Sequence, residues 1–178
     1  MYLIRHDAVD MSGICYGQTD VPTIEHYNHS ASRLKDKLPQ TIEKVVSSPL
    51  SRCLLLSQQL FKDQELLVDP RIQEVNFGQW ENTAWHDIPK HNIDTWSKTP
   101  THFQFPEGEH LSDFYQRVLS FWDEYQHQSG TLCLVTHAGV IRALLAIVHD
   151  TPWPDCLQVP VPYLGVFHLT KDSFYPLS

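Results

Sequence analysis

With 178 residues, of which 42% are hydrophobic and 11% aromatic, the chain is long enough to bury a sizeable core and too apolar to be disordered. Its formal net charge of −8 at pH 7 argues against a nucleic-acid partner, which would favour a basic face. A phosphate-ester substrate stays compatible, because a local cationic pocket can overcome a mildly acidic surface. No stretch reaches the ~18 apolar residues of a membrane span, so no membrane partner is expected.

The first half of the chain alternates short apolar stretches with helical patterns. Apolar residues recur at helical spacing from Ile24 to Leu38, where Pro39 follows. A second helix is predicted from Pro49 to about Phe61, with Ser48 as its N-cap. Buried strands are predicted at Tyr2–Ile4, Val45–Val46 and Leu66–Val68.

The second half continues this alternation after an irregular segment rich in Trp, His and Pro. We expect residues 80–108 to form a cap or lid beside a site rather than a second domain. Two helices and two strands are predicted after this segment. They are a long helix that begins at 106–109 and ends at Tyr125, a strand at 131–136, a helix at about 140–149 and a strand at 164–169. The pattern predicts one α/β domain over residues 1–178, a three-layer α/β/α sandwich whose mostly parallel sheet has one antiparallel edge strand.

The cysteines and histidines give no metal or disulfide signal. Cys133 lies in a predicted core strand, and the set shows no CxxC spacing, so we predict reduced thiols in a cytoplasmic protein: Cys15, Cys53, Cys133 and Cys156. The chain begins inside its first strand, so we expect no signal peptide. His26 and His29 are three residues apart without a third ligand nearby, which favours an exposed helix face over a metal site.

Basic and imidazole side chains follow two of the predicted strands. Arg5 and His6 end the first strand, and His137 ends the strand at 131–136. Strand ends of this kind form ligand sites in open α/β sheets. Arg52 falls in the first turn of its helix, where the helix dipole also favours an anion. Alone, His137 could be structural and Arg52 a surface residue; together these residues indicate an anion pocket with an imidazole nucleophile.

Three motifs at these positions occur in a characteristic order: Leu3-Ile4-Arg5-His6, Ser48-Pro49-Leu50-Ser51-Arg52 and Val135-Thr136-His137-Ala138-Gly139. Over nearly the whole chain they resemble the histidine phosphatase superfamily in its phosphoglycerate-mutase-like branch, which implies that fold. Residues 16–22 and 71–81 are further similar to the α-ribazole phosphatases, which remove a 5′-phosphate late in cobalamin nucleotide-loop assembly.

The resemblance implies a phosphoric monoester hydrolase that needs neither metal nor cofactor. His6 would be the nucleophile and form a phosphohistidine that water then hydrolyses. Arg5, Arg52 and His137 would surround the phosphoryl oxygens, with His137 also part of the catalytic set. Phosphoryl transfer depends mostly on positioning and charge stabilisation, which a ring of fixed donors supplies.

The resemblance also assigns an acid and a substrate loop. Glu74 matches the family's general acid, which protonates the leaving alkoxide, and Glu81 is the less favoured alternative carboxylate. Gln18 and Thr19 lie in the 16–22 stretch and would bind the substrate or its phosphate.

One departure from the family lies beside the proposed nucleophile. The family usually has Gly after this His, where this chain has Asp7. Asp tolerates the left-handed backbone region, so the turn could survive. A carboxylate there would oppose phosphate binding and raise the pKa of His6.

Several functions remain open from the sequence. The leading one is hydrolysis of α-ribazole 5′-phosphate, a small-molecule phosphate ester; a broad-specificity sugar or nucleotide phosphatase is the alternative within the same branch. Asp7 motivates a third reading, a degenerate phosphate-binding module with little turnover. A phosphoglycerate mutase fits less well because its family members are longer. The sequence predicts neither the oligomeric state nor a choice between cobalamin synthesis and salvage.

Overall fold

A computed structural model of the protein describes residues 1–177. Its strands are β1 (Tyr2–Arg5), β2 (Ile14–Cys15), β3 (Lys44–Ser47), β4 (Leu66–Val68), β5 (Thr83–Ala84), β6 (Leu132–Thr136), β7 (Val166–Leu169) and β8 (Phe174–Leu177). Its helices are α1 (Tyr27–Lys35), α2 (Ser51–Leu60), α3 (Lys90–Lys98), α4 (Leu111–Tyr125), α5 (Ala138–Val148) and α6 (Trp153–Cys156). Two short 3₁₀ helices cover Pro70–Ile72 and Gly78–Trp80.

The central sheet has the strand order β4-β3-β6-β1-β7-β8. Its first four strands are parallel, and β7 runs antiparallel to β1 and to β8. The predicted α/β class with a mostly parallel sheet is confirmed. The predicted position of the antiparallel strand at the edge of the sheet is wrong. The antiparallel strand is β7, and β8 pairs on its outer side. No strand at β8 is predicted from the sequence. Pro176 suits an edge strand but weakens the sequence pattern of a strand.

Alternate residues of the inner strands face opposite layers. Leu3 and Leu134 pack with α4 and α5, whereas Ile4 and Val135 pack with α1 and α2. Because a strand turns successive side chains to opposite faces, a sheet covered on both sides needs uninterrupted apolar runs. These short apolar runs therefore produce the three layers.

Helix starts are shifted from the predicted positions. Ile24 is 64% exposed and precedes α1, which begins at Tyr27 after His26 accepts a hydrogen bond from Asn28 N. The long helix α4 begins at Leu111 rather than at 106–109, with His110 as its N-cap. In both cases a histidine side chain caps the helix, a role that the apolar spacing does not indicate.

The segment 80–108 contains one regular helix, α3, and one strand, β5. An aromatic cluster fills its interior and includes Trp80, Trp85, Trp96, Phe103 and Phe105. Strand β5 pairs antiparallel with β2, which connects this segment to the loop after β1. Its role as a cap, and the single-domain reading of residues 1–178, stay predictions, and Ser178 lies outside the described residues.

The cysteines Cys15, Cys53, Cys133 and Cys156 are buried and free. Across residues 1–177, no helix is long and apolar enough to cross a membrane. The same residues contain no group of three or more His, Cys, Asp or Glu side chains that could hold a metal ion. His26 and His29 are exposed, with ring centroids 6.3 Å apart.

Candidate active site

Two histidines meet at one edge of the sheet because of the strand register. In the parallel pair β1–β6, Arg5 lies opposite Thr136, so His6 and His137 follow at the same level. His6 N donates to Thr136 O at 3.1 Å, and the two imidazole rings meet edge to face with centroids 5.1 Å apart. The structure thus brings together the two histidines that the strand ends indicated.

The imidazole of His6 is 2% exposed and held in one tautomer. Its Nδ1 lies 2.7 Å from the carbonyl oxygen of Asp7, which can only accept, so Nδ1 carries the proton and Nε2 the lone pair. Burial, with the charges of Arg52 and Arg5, holds the pKa of His6 well below its usual value. His6 is therefore neutral at pH 7, the form that can act as a nucleophile.

His137 is fully buried beside the hydroxyl of Ser48. Its Nε2 lies 2.8 Å from Ser48 Oγ, and Cys53 Sγ lies 3.5 Å from the same nitrogen. Burial and the proximity of His6 and Arg52 hold the pKa of His137 well below its usual value. A neutral imidazole at this position offers one N–H donor.

The predicted capping role of Ser48 is wrong. Leu50 is the N-cap of α2, and the helix begins at Ser51. The Ser48 hydroxyl instead serves His137, although it also accepts a long 3.4 Å bond from Leu50 N. The Ser-Pro pair looks like a helix start locally, but the partner of its hydroxyl comes from β6.

The guanidinium of Arg5 is oriented by two contacts. Its Nη1 donates to Val161 O at 2.5 Å, and its Cζ lies 3.7 Å from the ring centroid of Tyr163. Its buried Nε has no hydrogen-bond partner among residues 1–177. A buried donor without a partner carries a desolvation cost that an anion would offset.

Arg52 is the largest fully buried side chain among residues 1–177. Its two terminal nitrogens donate to backbone carbonyls of the loop after β2, Nη1 to Thr19 at 2.9 Å and Nη2 to Gly17 at 2.5 Å. Its Nε likewise has no partner within the described chain. Among these residues no carboxylate forms an ion pair with Arg5 or Arg52, so both guanidinium charges are available to an anion.

Glu74 reaches the start of α5. Its carboxylate accepts hydrogen bonds of 3.1 Å from Gly139 N and from Val75 N. A Cβ atom at position 139 would collide with Glu74 Oε1, so the glycine of the His137-Ala138-Gly139 motif allows this approach. The carboxylate is therefore bound by a backbone N–H that lies two residues after His137 along the chain.

The alternative carboxylate, Glu81, is occupied by backbone. It accepts from Gln18 N at 2.8 Å, from Thr19 N at 2.6 Å and from Phe77 N at 3.0 Å, and also from the Thr19 hydroxyl. This network fixes the loop whose carbonyls bind Arg52. Glu81 thus stabilises this loop, and the choice of Glu74 as the acid stays a prediction.

Gln18 and Thr19 make their polar contacts within the protein. Gln18 Nε2 donates to Glu74 O at 3.0 Å, and Thr19 Oγ1 donates to Glu81 at 2.5 Å. Both side chains thereby shape the surroundings of Arg52 and Glu74. That they bind substrate stays a prediction.

Asp7 differs from both expectations placed on it. Among residues 1–177, the non-glycine residues with positive φ do not include Asp7, so no left-handed turn exists there. Its carboxylate accepts from Ala8 N at 2.7 Å and from Ser30 Oγ of α1 at 2.6 Å. The pKa of His6 is lowered rather than raised, with burial as the largest cause. Asp7 therefore fixes the loop to α1.

Sequence reasoning missed Arg117, in α4. Its Nη1 donates to the carbonyls of Arg71 and Gln73 at 2.7 and 2.8 Å, and its Nη2 to that of Glu74 at 2.9 Å. An ion pair with Glu109 fixes the guanidinium, with Nε 2.7 Å from Oε1. Such bonds to backbone carbonyls leave no motif in the sequence.

A second missed feature is the cavity beside Glu74. It measures about 540 Å³ and is lined by Glu74, Gly139, Arg142 and aromatic rings, which are Phe77, Trp85, Trp96, Phe105 and Trp153. Arg142 donates from Nε to Val159 O at 3.0 Å. Burial lowers the pKa of Arg142, and Glu74 opposes that shift. An apolar cavity with few polar groups is typical of a small-molecule site.

The arrangement of neutral imidazoles, two guanidiniums and a nearby carboxylate suits phosphoryl transfer, and comparison with known proteins supports this. The model of the histidine phosphatase superfamily (branch 1) matches residues 1–174. The chain belongs to this superfamily.

Individual relatives differ in their substrates. The adenosylcobalamin/α-ribazole phosphatase of Escherichia coli K12 is 28% identical over 163 residues, covering 85% of this chain and 80% of the relative. Phosphoserine phosphatase 1 of Hydrogenobacter thermophilus is 26% identical over 154 residues, covering 81% and 73%. The crystal structure of the α-ribazole phosphatase from Shigella flexneri superposes with a TM-score of 0.82 over 99% of this chain and 93% of that one; at 23% identity it shows the same fold.

Proposed function

We propose that the protein is a phosphoric monoester hydrolase that acts through a phosphohistidine on His6 and needs no metal. The observation that carries the proposal is the state of His6. The Nδ1 of His6 is hydrogen-bonded to the Asp7 carbonyl, and the pKa of His6 is lowered. The guanidiniums of Arg5 and Arg52, which contribute to this lowering, form no ion pair with a carboxylate among residues 1–177. A neutral nucleophile with cationic neighbours is what attack on a phosphate dianion requires.

The first step forms the phosphoenzyme. The lone pair of His6 Nε2 attacks phosphorus, and the ester P–O bond breaks. Protonated Glu74 gives its proton to the leaving oxygen and becomes a carboxylate. Arg5, Arg52 and the N–H of His137 stabilise the equatorial phosphoryl oxygens.

The second step returns the enzyme to its starting state. The Glu74 carboxylate takes a proton from water as the water oxygen attacks phosphorus. The P–N bond to His6 breaks, inorganic phosphate forms, and the imidazole recovers its lone pair. Glu74 is then protonated for the next cycle.

The substrate we propose is α-ribazole 5′-phosphate. Its leaving group carries a flat aromatic base, and the cavity beside Glu74 presents aromatic rings on the side where the leaving group of an ester would lie. The relative from Escherichia coli is named for this substrate. Phosphoserine is the second candidate, favoured by the guanidinium of Arg142, which could receive a carboxylate in the same cavity.

The test is phosphate release from α-ribazole 5′-phosphate, phosphoserine and p-nitrophenyl phosphate, in the presence of EDTA. We expect release from the first to be the fastest, and an acid-labile phosphoenzyme that His6→Ala abolishes. His168→Ala, at the other end of the sheet, serves as the control. Fastest release from phosphoserine would discard the cobalamin role, and equal rates would favour a broad-specificity enzyme. A phosphoenzyme that persists in His6→Ala would discard the mechanism.

A further inference from the structure

Two tyrosines from distant loops join above the buried histidines. The hydroxyls of Tyr16 and Tyr163 are 3.1 Å apart and share one hydrogen bond. The Tyr163 ring lies 5.7 Å from the His6 ring, centroid to centroid. Nothing in the proposed chemistry uses either residue so far.

Each tyrosine ring also covers one of the two arginines. The Tyr163 centroid is 3.7 Å from Arg5 Cζ, and the Tyr16 centroid is 5.1 Å from Arg52 Cζ. The two rings therefore lie over the guanidiniums that would hold a phosphoryl group. The paired hydroxyls belong to the same site as the buried donors.

The backbone beside Tyr163 is strained in a way that fixes this position. Leu164 has a φ of 52°, in the left-handed region that bulky residues avoid. Its N–H donates to His6 O at 3.3 Å, and Arg5 N donates to Gly165 O at 3.0 Å. Strain of this kind persists at functional sites where the surroundings enforce it. Tyr163 is thus positioned relative to His6 itself.

We propose that Tyr16 and Tyr163 are substrate-binding residues whose hydroxyls both donate to the phosphoryl oxygens of the ester. In their present contact one hydroxyl donates and the other accepts, so one O–H is left over. A phosphate dianion only accepts, so it can take a hydrogen bond from each tyrosine in exchange for the one they share. The separation of the hydroxyls upon binding would also open the way to His6, which is 2% exposed in the present arrangement.

The inference rests on the proposed function for the identity of the ligand, so its test uses binding without turnover. Inorganic phosphate is titrated calorimetrically into the native protein and into Tyr16→Phe and Tyr163→Phe, which keep the rings on their arginines. We expect each variant to bind phosphate about tenfold more weakly, the effect of one hydrogen bond to a charged group. With p-nitrophenyl phosphate the loss should fall on KM more than on kcat.

The matched control is Tyr175→Phe. Tyr175 is 45% exposed, against 39% for Tyr163, and its hydroxyl lies 2.9 Å from His168 Nδ1, at the other end of β1. Its removal should leave the phosphate Kd unchanged. Phosphate affinity within about twofold of native in either Tyr16→Phe or Tyr163→Phe would overturn the proposal. Weakened phosphate binding in a protein that hydrolyses no ester would keep it and discard the hydrolase function instead.

Discussion

The carboxylate of Glu74 accepts a 3.1 Å hydrogen bond from the backbone N–H of Gly139, in the first turn of α5. A side chain at position 139 would occupy the place of that carboxylate. The proposed acid and the motif that carries His137 are therefore interdependent, although 65 positions separate Glu74 from Gly139. This dependence can be tested without changing either proposed catalytic group.

Gly139→Ala should displace Glu74 while leaving the helix intact, since alanine is favoured over glycine in a helix by about 1 kcal/mol. We expect kcat for an alkyl phosphate to fall about 100-fold, within the range attributed to general acids, and that for p-nitrophenyl phosphate to change little. Parallel rate measurements on the two esters, with Glu74→Gln for comparison, check this. Equal losses on both esters would contradict an acid role.

Arg117→Met should lower kcat for an alkyl phosphate more than kcat for p-nitrophenyl phosphate, and it should also destabilise the fold. The guanidinium bonds three carbonyls of the segment that ends in Glu74 and pairs with Glu109. Its removal leaves a partly buried carboxylate unpaired, at a cost of about 3 kcal/mol in the free energy of unfolding. Urea denaturation measures this cost. Arg33→Met, on the exposed face of α1, should change neither stability nor rate. Arg117→Met with unchanged alkyl-phosphate turnover would exclude a positioning role.

Asp7→Gly restores the residue typical of the family and should not improve the enzyme. Its carboxylate accepts hydrogen bonds from Ala8 N and Ser30 Oγ, which fix the loop after β1 to α1. The loss of these bonds should reduce the free energy of unfolding by about 2 kcal/mol. Ser30→Ala should reproduce part of that loss. A large gain in kcat/KM for Asp7→Gly would show that the carboxylate does oppose the phosphate.

The buried histidines predict a pH dependence of stability. The pKa values of His6 and His137 are lowered in the folded state, so below about pH 6.5 the unfolded chain binds protons that the folded one does not. The free energy of unfolding is therefore highest above pH 6.5. It decreases as the pH falls from 6.5 towards the folded-state pKa values, by up to about 1.4 kcal/mol per pH unit for each histidine. Unfolding in urea at pH 7.5, 6.5 and 5.5 measures the slope. His137→Asn should make the slope shallower, and an unchanged slope would refute the assignment.

The lowered pKa of His6 also determines the pH at which activity is lost on the acid side of the pH–rate profile. Attack requires neutral His6, so kcat/KM should stay high well below pH 6.5 and fall only where His6 becomes protonated. A pH–rate profile with p-nitrophenyl phosphate reports this limb for the free enzyme. Inactivation near pH 6.5 would mean that His6 is solvated during turnover.

Much of the fold was predictable because it depends on local patterns. The apolar runs around Leu3 and Leu134 give the sheet, and parallel register then places His6 beside His137. The long-range partners were not predictable. Ser48 has the local sequence of a helix cap, but its hydroxyl is hydrogen-bonded to His137. Arg117 binds backbone carbonyls, which every residue possesses, so no sequence motif indicates its partners. The aromatic cavity likewise needs the three-dimensional placement of residues 77–105 against α5.

The position of β1 between β6 and β7 has a consequence for biosynthesis. Tyr2 pairs with Cys133 on one side and with His168 on the other. Strand β1 is therefore synthesised well before either of its neighbours, and pairing between strands so distant in sequence slows folding. Because Arg5 and His6 belong to the end of β1 and His137 follows β6, the anion pocket can assemble only after β6 has been synthesised.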